Sequence, residues 1–188
     1  MESGTGFDAI LLAGGRARRF GADKPAAPVG GRSLIEWTAA AAAGASRLIV
    51  VGPRRDVLPG AVVVREDPPG AGPVPALRAG LAEVRAPRLA LLAADLPFLR
   101  PAHVARLLEA MGERPGALLL DEEGREQWLA GCWRSGALRA ALDGYAGASL
   151  RGLLGPLAPV TVTVPLGARP AWYDCDTPEE LAAAERLL

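Results

Sequence analysis

Unbroken apolar or β-branched runs of strand length recur at residues 8–12, 47–51, 61–65, 88–93, 117–120, 129–133 and 160–164. Stretches of helical composition fall between most of them, at 33–43, 74–84, 101–111, 135–142 and 178–188. Strands that are apolar throughout, rather than alternating, are covered on both faces, and their alternation with helices is the mark of a mainly parallel sheet. The pattern predicts a doubly wound α/β fold with helices on both faces of the sheet. Two helix starts are explicit. Ser33-Leu34-Ile35-Glu36 and Thr177-Pro178-Glu179-Glu180 each carry a hydroxyl residue followed three positions later by a carboxylate, and the second adds proline at the first helical position. No repeat, linker or low-complexity segment divides the chain, so a single domain over 1–188 is expected. Between 144 and 170 glycine and proline are scattered and no element pattern stands out.

Composition narrows the function. Half of the 188 residues are apolar, 22% are charged and the formal net charge is zero, as in a globular domain large enough for one well-buried core. A charge balance of this kind argues against a nucleic-acid partner, which calls for a basic face, and leaves a small nucleotide open. The start, Met1-Glu2-Ser3-Gly4, lacks the basic opening of a signal peptide, and the first apolar run, 7–13, is too short to span a bilayer. A cytoplasmic protein without a membrane partner is expected. Cys132, Cys175 and the lone His103 make no zinc spacing and read as structural. Of the 21 basic residues only Lys24 is lysine, asparagine is absent and isoleucine occurs three times. This bias fits a genome that has drifted from AT-rich codons, so a surviving lysine is a candidate for chemical necessity.

Lys24 closes the segment Leu12-Ala13-Gly14-Gly15-Arg16-Ala17-Arg18-Arg19-Phe20-Gly21-Ala22-Asp23-Lys24, which follows the first strand. Glycines let backbone N–H groups approach phosphate oxygens, and the basic residues supply countercharge. The segment is neither a dinucleotide fingerprint nor a P-loop, because Gly14 and Gly15 are adjacent and Pro25 follows Lys24. The string L-A-G-G-x-x-x-R-x-G-x-D-K resembles the signature of the molybdenum cofactor guanylyltransferase family, nucleotidyltransferases with a Rossmann-like sheet.

That resemblance implies that Leu12, Ala13, Gly14 and Gly15 hold the nucleotide, that Lys24 contacts its phosphates and that Arg19 is the motif arginine. It implies that Asp95, in Asp95-Leu96-Pro97 at the end of the fourth strand, is the Mg²⁺ ligand, consistent with the preference of Mg²⁺ for one or two carboxylates plus phosphate oxygens. Glu66-Asp67 and Gly72-Pro73 match an acidic pair and a G-P helix opening, which assigns Asp67 and Gly72 to the nucleotide. Pro75 and Ala76 depart from the family's G-P-L-A-G, and Gly52 stands where some members place a nucleotide-contacting asparagine.

The resemblance continues through Glu126–Trp133, Ser149–Leu154 and Trp172–Leu181, the last similar to an N-x-N-T-P-E-x-L ending in which Asp174 and Asp176 replace both asparagines. Asp174 and Asp176 are therefore expected on the acceptor side, with Asp176 also able to reach the metal, although Thr177 capping is an equally natural use of this turn. Ser149 and Arg151 are expected either to contact an acceptor phosphate or to serve as a helix cap and a solvated arginine. A nucleotide-binding half, about 7–100, and an acceptor half, about 101–188, follow.

The activity implied is Mg²⁺-dependent transfer of GMP from GTP to the phosphate of molybdopterin, with pyrophosphate released. Molybdoenzymes or their chaperones would receive the product. Transfer of CMP to the same cofactor, of a nucleotide to a sugar phosphate, or silent nucleotide binding are the alternatives. Leu12-Ala13-Gly14-Gly15, where CTP-specific members tend to carry L-A-A-G, favours GTP.

Overall fold

The computed structural model describes residues 6–14, 23–164 and 169–188. In chain order the elements are β1 (Phe7–Leu12), β2 (Pro28–Val29), β3 (Arg32–Ser33), α1 (Leu34–Ala41), β4 (Leu48–Val51), β5 (Val62–Val64), α2 (Pro73–Glu83), β6 (Arg88–Ala93) and α3 (Pro101–Met111). They continue with β7 (Gly116–Leu120), β8 (Glu126–Arg134), α4 (Ser135–Leu142), α5 (Leu150–Leu154), β9 (Val160–Val162) and α6 (Pro178–Leu187). Every strand and helix expected from the apolar pattern is present.

Seven of these strands form one sheet in the order β5-β4-β1-β6-β8-β7-β9. All neighbours pair in parallel except β8, which runs antiparallel to both β6 and β7. The small hairpin β2-β3 is not legible in the pattern. Its strands are two residues each, too short to show a period, and its turn rests on Gly30 and Gly31 at φ 56° and 78°, where glycine alone is unstrained.

β1 shows why the sheet needs cover on both sides. Ala9 and Leu11 join the apolar layer that includes Ile35 of α1 and Leu107 of α3, whereas Ile10 and Leu12 join the layer that includes Leu77 of α2, Leu138 of α4 and Leu153 of α5. Every residue of the strand is buried, as period-2 alternation between two covered faces requires. Asp8, 1% exposed, is the exception in polarity. Its carboxylate accepts from Arg85 N (2.7 Å) and Ala86 N (3.0 Å), tying the start of β1 to the approach of β6. Both capping boxes form. Glu180 N donates to Thr177 Oγ1 at 3.2 Å and Thr177 N to Glu180 Oε2 at 2.8 Å, and Ser33 N donates to Glu36 Oε2 at 2.8 Å.

Strand order reverses at β1, whose neighbours are β4 on one side and β6 on the other. Ligands of open α/β sheets bind at the carboxyl ends of strands at such a switch point. Leu12 pairs with Ala93 in register, so the glycine-rich segment and Asp95 leave the sheet from adjacent strand ends.

α2 lies close on β1 and β4 because Gly80 has no side chain. A Cβ there would stand 2.9 Å from Ile10 Cγ2 and 2.9 Å from Val51 Cγ2, both stiff β-branched groups. Gly80→Ala is therefore expected to lower stability by about 1–3 kcal/mol, overriding the roughly 1 kcal/mol that alanine gains over glycine in a helix. The urea midpoint, with unchanged slope, measures it; an unchanged or higher midpoint would contradict this packing.

Candidate active site

The ammonium of Lys24 is ion-paired to Asp95 Oδ2 and to Asp176 Oδ1. The three residues come from the turn before β2, the segment just past β6 and the residue before the Thr177 cap of α6, and the fold alone brings them together. The Lys24 and Asp95 side chains are 12% and 16% exposed, while that of Asp176 is 59% exposed, so the pair with Asp95 lies in a much less screened setting. Burial alone would lower the Lys24 pKa, but the charges and hydrogen bonds of Asp95 and Asp176 outweigh it and hold it above the ordinary lysine value. The neighbouring Asp174 carboxyl is pushed up, first by desolvation and then by the charges of Asp176 and Asp95. One ammonium thus faces a surplus of carboxylates, an arrangement that attracts further cations.

Two sets of contacts fix these groups. Arg55 binds Asp23 through both Nη2–Oδ1 (2.6 Å) and Nε–Oδ2 (3.2 Å), and Nη1 donates to Pro53 O (3.0 Å). Asp23 precedes a single 3₁₀ turn, Lys24–Ala26, so a bidentate guanidinium anchors the residue beside the lysine. On the other side, Ala27, Val29, Leu34, Phe98, Cys175 and Ala184 form one apolar cluster that docks the C-terminal segment onto the hairpin. Phe98 and Tyr173 meet at a ring-centroid distance of 5.6 Å, and Tyr173 Oη donates to Glu180 O at 3.0 Å. Asp174 and Asp176 flank the buried Cys175 and so emerge at the site.

The fit to a divalent cation rests on Asp95. Its Oδ2 faces Lys24, and its Oδ1 is buried without a hydrogen-bond partner among the described residues, a position whose desolvation is costly unless something binds there. Among the described residues no three acidic, histidine or cysteine side chains converge to hold a metal alone. One or two carboxylates completed by substrate phosphates is the usual Mg²⁺ arrangement, and Asp95 with Asp176 fits it.

A cleft of about 550 Å³ runs from Asp95 past Leu12, Gly14 and Gly72 to Glu66. Leu12, Gly14 and Gly72, all expected at the nucleotide, line it, and Ala13 lines an adjoining recess of about 300 Å³. Gly15 and Arg19 lie outside the described residues. Asp67 is exposed and lines neither cavity; its neighbour Glu66, buried, lines both. At Gly52, φ is 148° and a Cβ would stand 2.8 Å from Ala13 C and O, so β4 approaches the loop too closely for any side chain there.

A second cleft, about 620 Å³, opens on the other side of Asp95. Ser149, Arg151, Asp174 and Asp176, the four residues expected on the acceptor side, all line it, together with Trp128 and Trp172. Ser149 is also the cap of α5, its Oγ accepting from Gly152 N at 3.0 Å, so the cap and a place on the cleft wall are compatible. Glu66, Arg55 and the two tryptophans are not singled out by the sequence pattern. Glu66 and Asp67 are adjacent acids at a strand end, and only the path of the chain beyond β5 decides which one turns inward. Arg55 is one of twenty arginines and carries no motif. His103 is outside this site; its Nδ1 accepts from Arg100 N at 3.1 Å, capping α3. Among the described residues no helix is long and apolar enough to cross a membrane.

Similarity to known proteins agrees with this geometry. Residues 9–160 match the model of the MobA-like NTP transferase domain. A molybdenum cofactor guanylyltransferase of a Bradyrhizobium species is 35% identical over 97% of this chain and 93% of its own length. Among solved structures, a nucleotidyl transferase from Methanothermobacter superposes with a TM-score of 0.77 at 20% identity, covering 98% of each chain. Molybdopterin-guanine dinucleotide biosynthesis protein A from Archaeoglobus fulgidus gives 0.69 at 20%, covering 96% of this chain and 98% of its own. At such identities the structural matches speak for the fold, but the family model spans most of the chain and the Bradyrhizobium relative nearly all of it: the chain belongs to the MobA-like NTP transferases, among the molybdenum cofactor guanylyltransferases.

Proposed function

We propose that the chain transfers GMP from GTP to the terminal phosphate of molybdopterin and releases pyrophosphate. The observation that carries this reading is Lys24 held between Asp95 and Asp176 at the switch point, with the nucleotide cleft on one side and the acceptor cleft on the other. A phosphate oxygen of the acceptor forms a bond to the α-phosphorus of GTP while the bond from that phosphorus to the oxygen of the β-phosphate breaks. The electron pair of that bond leaves with pyrophosphate.

An ionised phosphate is already a nucleophile, so the residues need only position it and neutralise charge. The site offers no better nucleophile of its own. Desolvation pushes the Cys175 thiol up to about 12, with the Asp95 charge adding to the effect, and burial and nearby arginines lower the pKa of His103, which is engaged in its cap. Lys24 would move from the carboxylates to the triphosphate, where a compact ammonium follows the charge that develops on the leaving group. Mg²⁺ is the expected cofactor. Asp95 and Asp176 would hold it, and it would supply countercharge to the phosphate oxygens. Leu12, Ala13, Gly14 and Gly72 are assigned to the nucleotide, and Gly15, Arg19 and Asp67 remain assigned to it by resemblance. Ser149, Arg151 and Asp174 are assigned to the acceptor. Two free buried cysteines suit a reducing cytoplasm, and delivery of the product to molybdoenzymes or their chaperones completes the reading.

Pyrophosphate release with Mg²⁺, molybdopterin and each nucleotide tests the reaction. GTP is expected to support turnover and CTP to support at least tenfold less, and Asp95→Asn to cut the GTP rate by about 100-fold or more. A CTP rate above the GTP rate, or near-normal turnover of Asp95→Asn at saturating Mg²⁺, would contradict it.

Lys24→Ala separates chemistry from packing. Turnover is expected to fall by about 100-fold or more, and because Asp95 loses its buried partner, the unliganded protein should also lose up to about 3 kcal/mol of stability. The raised pKa sets the sign with pH. The stabilisation Lys24 provides is complete below its unfolded value of about 10.4 and fades as pH rises through the folded value, so wild type and variant should converge in melting temperature only above roughly pH 10.4. Convergence already at neutral pH would refute the ion pair.

A further inference from the structure

The nucleotide cleft has a polar group that the transfer of phosphate does not use. Of the described residues lining it, only Asp95 and Glu66 carry polar side chains. Asp95 belongs to the end where Lys24 stands. Glu66 stands past the end of β5, with β4 and β1 between that strand and β6, and its carboxylate reaches back beside Gly14 at the end of β1.

Glu66 is 6% exposed. Its Oε1 accepts from Gly70 N at 2.8 Å, which fixes the side chain, and its Oε2 is buried with no hydrogen-bond partner among the described residues. A carboxylate offers acceptors only, and a buried acceptor left unpaired is costly, so the position calls for a ligand that brings N–H donors. Backbone around it leaves room. Gly14 lies so close that a Cβ would come within 3.3 Å of Glu66 Oε1, and Gly52 and Gly70 share the adjoining recess.

We infer that Glu66 reads the base of the bound nucleotide by accepting N–H donors from the Watson–Crick edge of guanine. This rests on the reading of the cleft as a GTP site and names the group that selects GTP there. Guanine presents two neighbouring donors on that edge, the ring N1–H and the exocyclic 2-amino group. Cytosine presents a single amino donor beside two acceptors, which a carboxylate repels, so the same side chain that favours guanine disfavours CTP.

The test uses inosine triphosphate, which lacks the 2-amino group, alongside GTP, CTP and inorganic tripolyphosphate. Each is titrated calorimetrically with Mg²⁺ into wild type and Glu66→Gln, a variant whose amide oxygen can still accept from Gly70 N. Wild type should bind GTP about 10- to 100-fold more tightly than inosine triphosphate. In Glu66→Gln that ratio should fall to near one, with GTP weakened by a similar factor and tripolyphosphate bound as in wild type. The unchanged tripolyphosphate affinity reports that the variant is folded. A GTP preference over inosine triphosphate that survives in Glu66→Gln overturns the role of Glu66 alone. If wild type itself binds CTP more tightly than GTP, the GTP reading falls and the inference with it.

Discussion

A single ammonium placed between two carboxylates organises this molecule. Lys24, Asp95 and Asp176 are separated by 71 and 81 residues of chain, and nothing local draws them together, yet Lys24 is ion-paired to both acids. The charges of Lys24 and Asp95 would be poorly tolerated alone, because both side chains are largely withdrawn from water and an unpaired buried ion is among the costlier defects a fold can carry. The cluster is also short of positive charge, which is why Asp174 beside it has its pKa pushed up by the Asp176 and Asp95 charges as well as by desolvation. A site that holds itself together with a lysine, while leaving one oxygen of Asp95 unpartnered among the described residues, would, on the proposed function, exchange partners when phosphates and a cation bind.

The sheet supplies the placement. Reversal of strand order at β1 opens the crevice between the ends of β1 and β6, so Gly14, after β1, and Asp95, after β6, line one cleft. The third member arrives by a different route: an apolar cluster of Ala27, Val29, Leu34, Phe98, Cys175 and Ala184 packs the start of α6 against the hairpin. Arg55, clamped on Asp23, holds the segment before Lys24 from below. Two clefts that share Asp95 follow from this geometry, one on each side of the place where the transferred group would pass.

Much of this is legible in the amino-acid sequence. Unbroken apolar runs and two capping boxes locate the strands and the firm helix starts, because burial on both faces and cap hydrogen bonds leave periodic and local signals. Lys24 stands out as the sole lysine among 21 basic residues, and Asp95 stands out at a strand end. Other features leave no local trace. Two-residue strands show no period, so the hairpin is invisible in the pattern. The choice between Glu66 and Asp67 depends on how the chain leaves β5, and the pairing of Arg55 with Asp23 depends on the juxtaposition of loops distant in sequence. Resemblance places the aspartates of the C-terminal turn near the acceptor, but the contact of Asp176 with Lys24 is a product of tertiary packing.

Because Lys24 is the only lysine, its ammonium can be observed without ambiguity. In protein labelled with ¹⁵N-lysine, one side-chain Nζ signal reports the site. It is expected to titrate above the ordinary lysine value of about 10.4 in the unliganded protein and to shift when GTP and Mg²⁺ are added together, as the ammonium passes from the carboxylates to the phosphates. A signal that titrates at or below the ordinary value, or that GTP with Mg²⁺ leaves unmoved, would contradict the account.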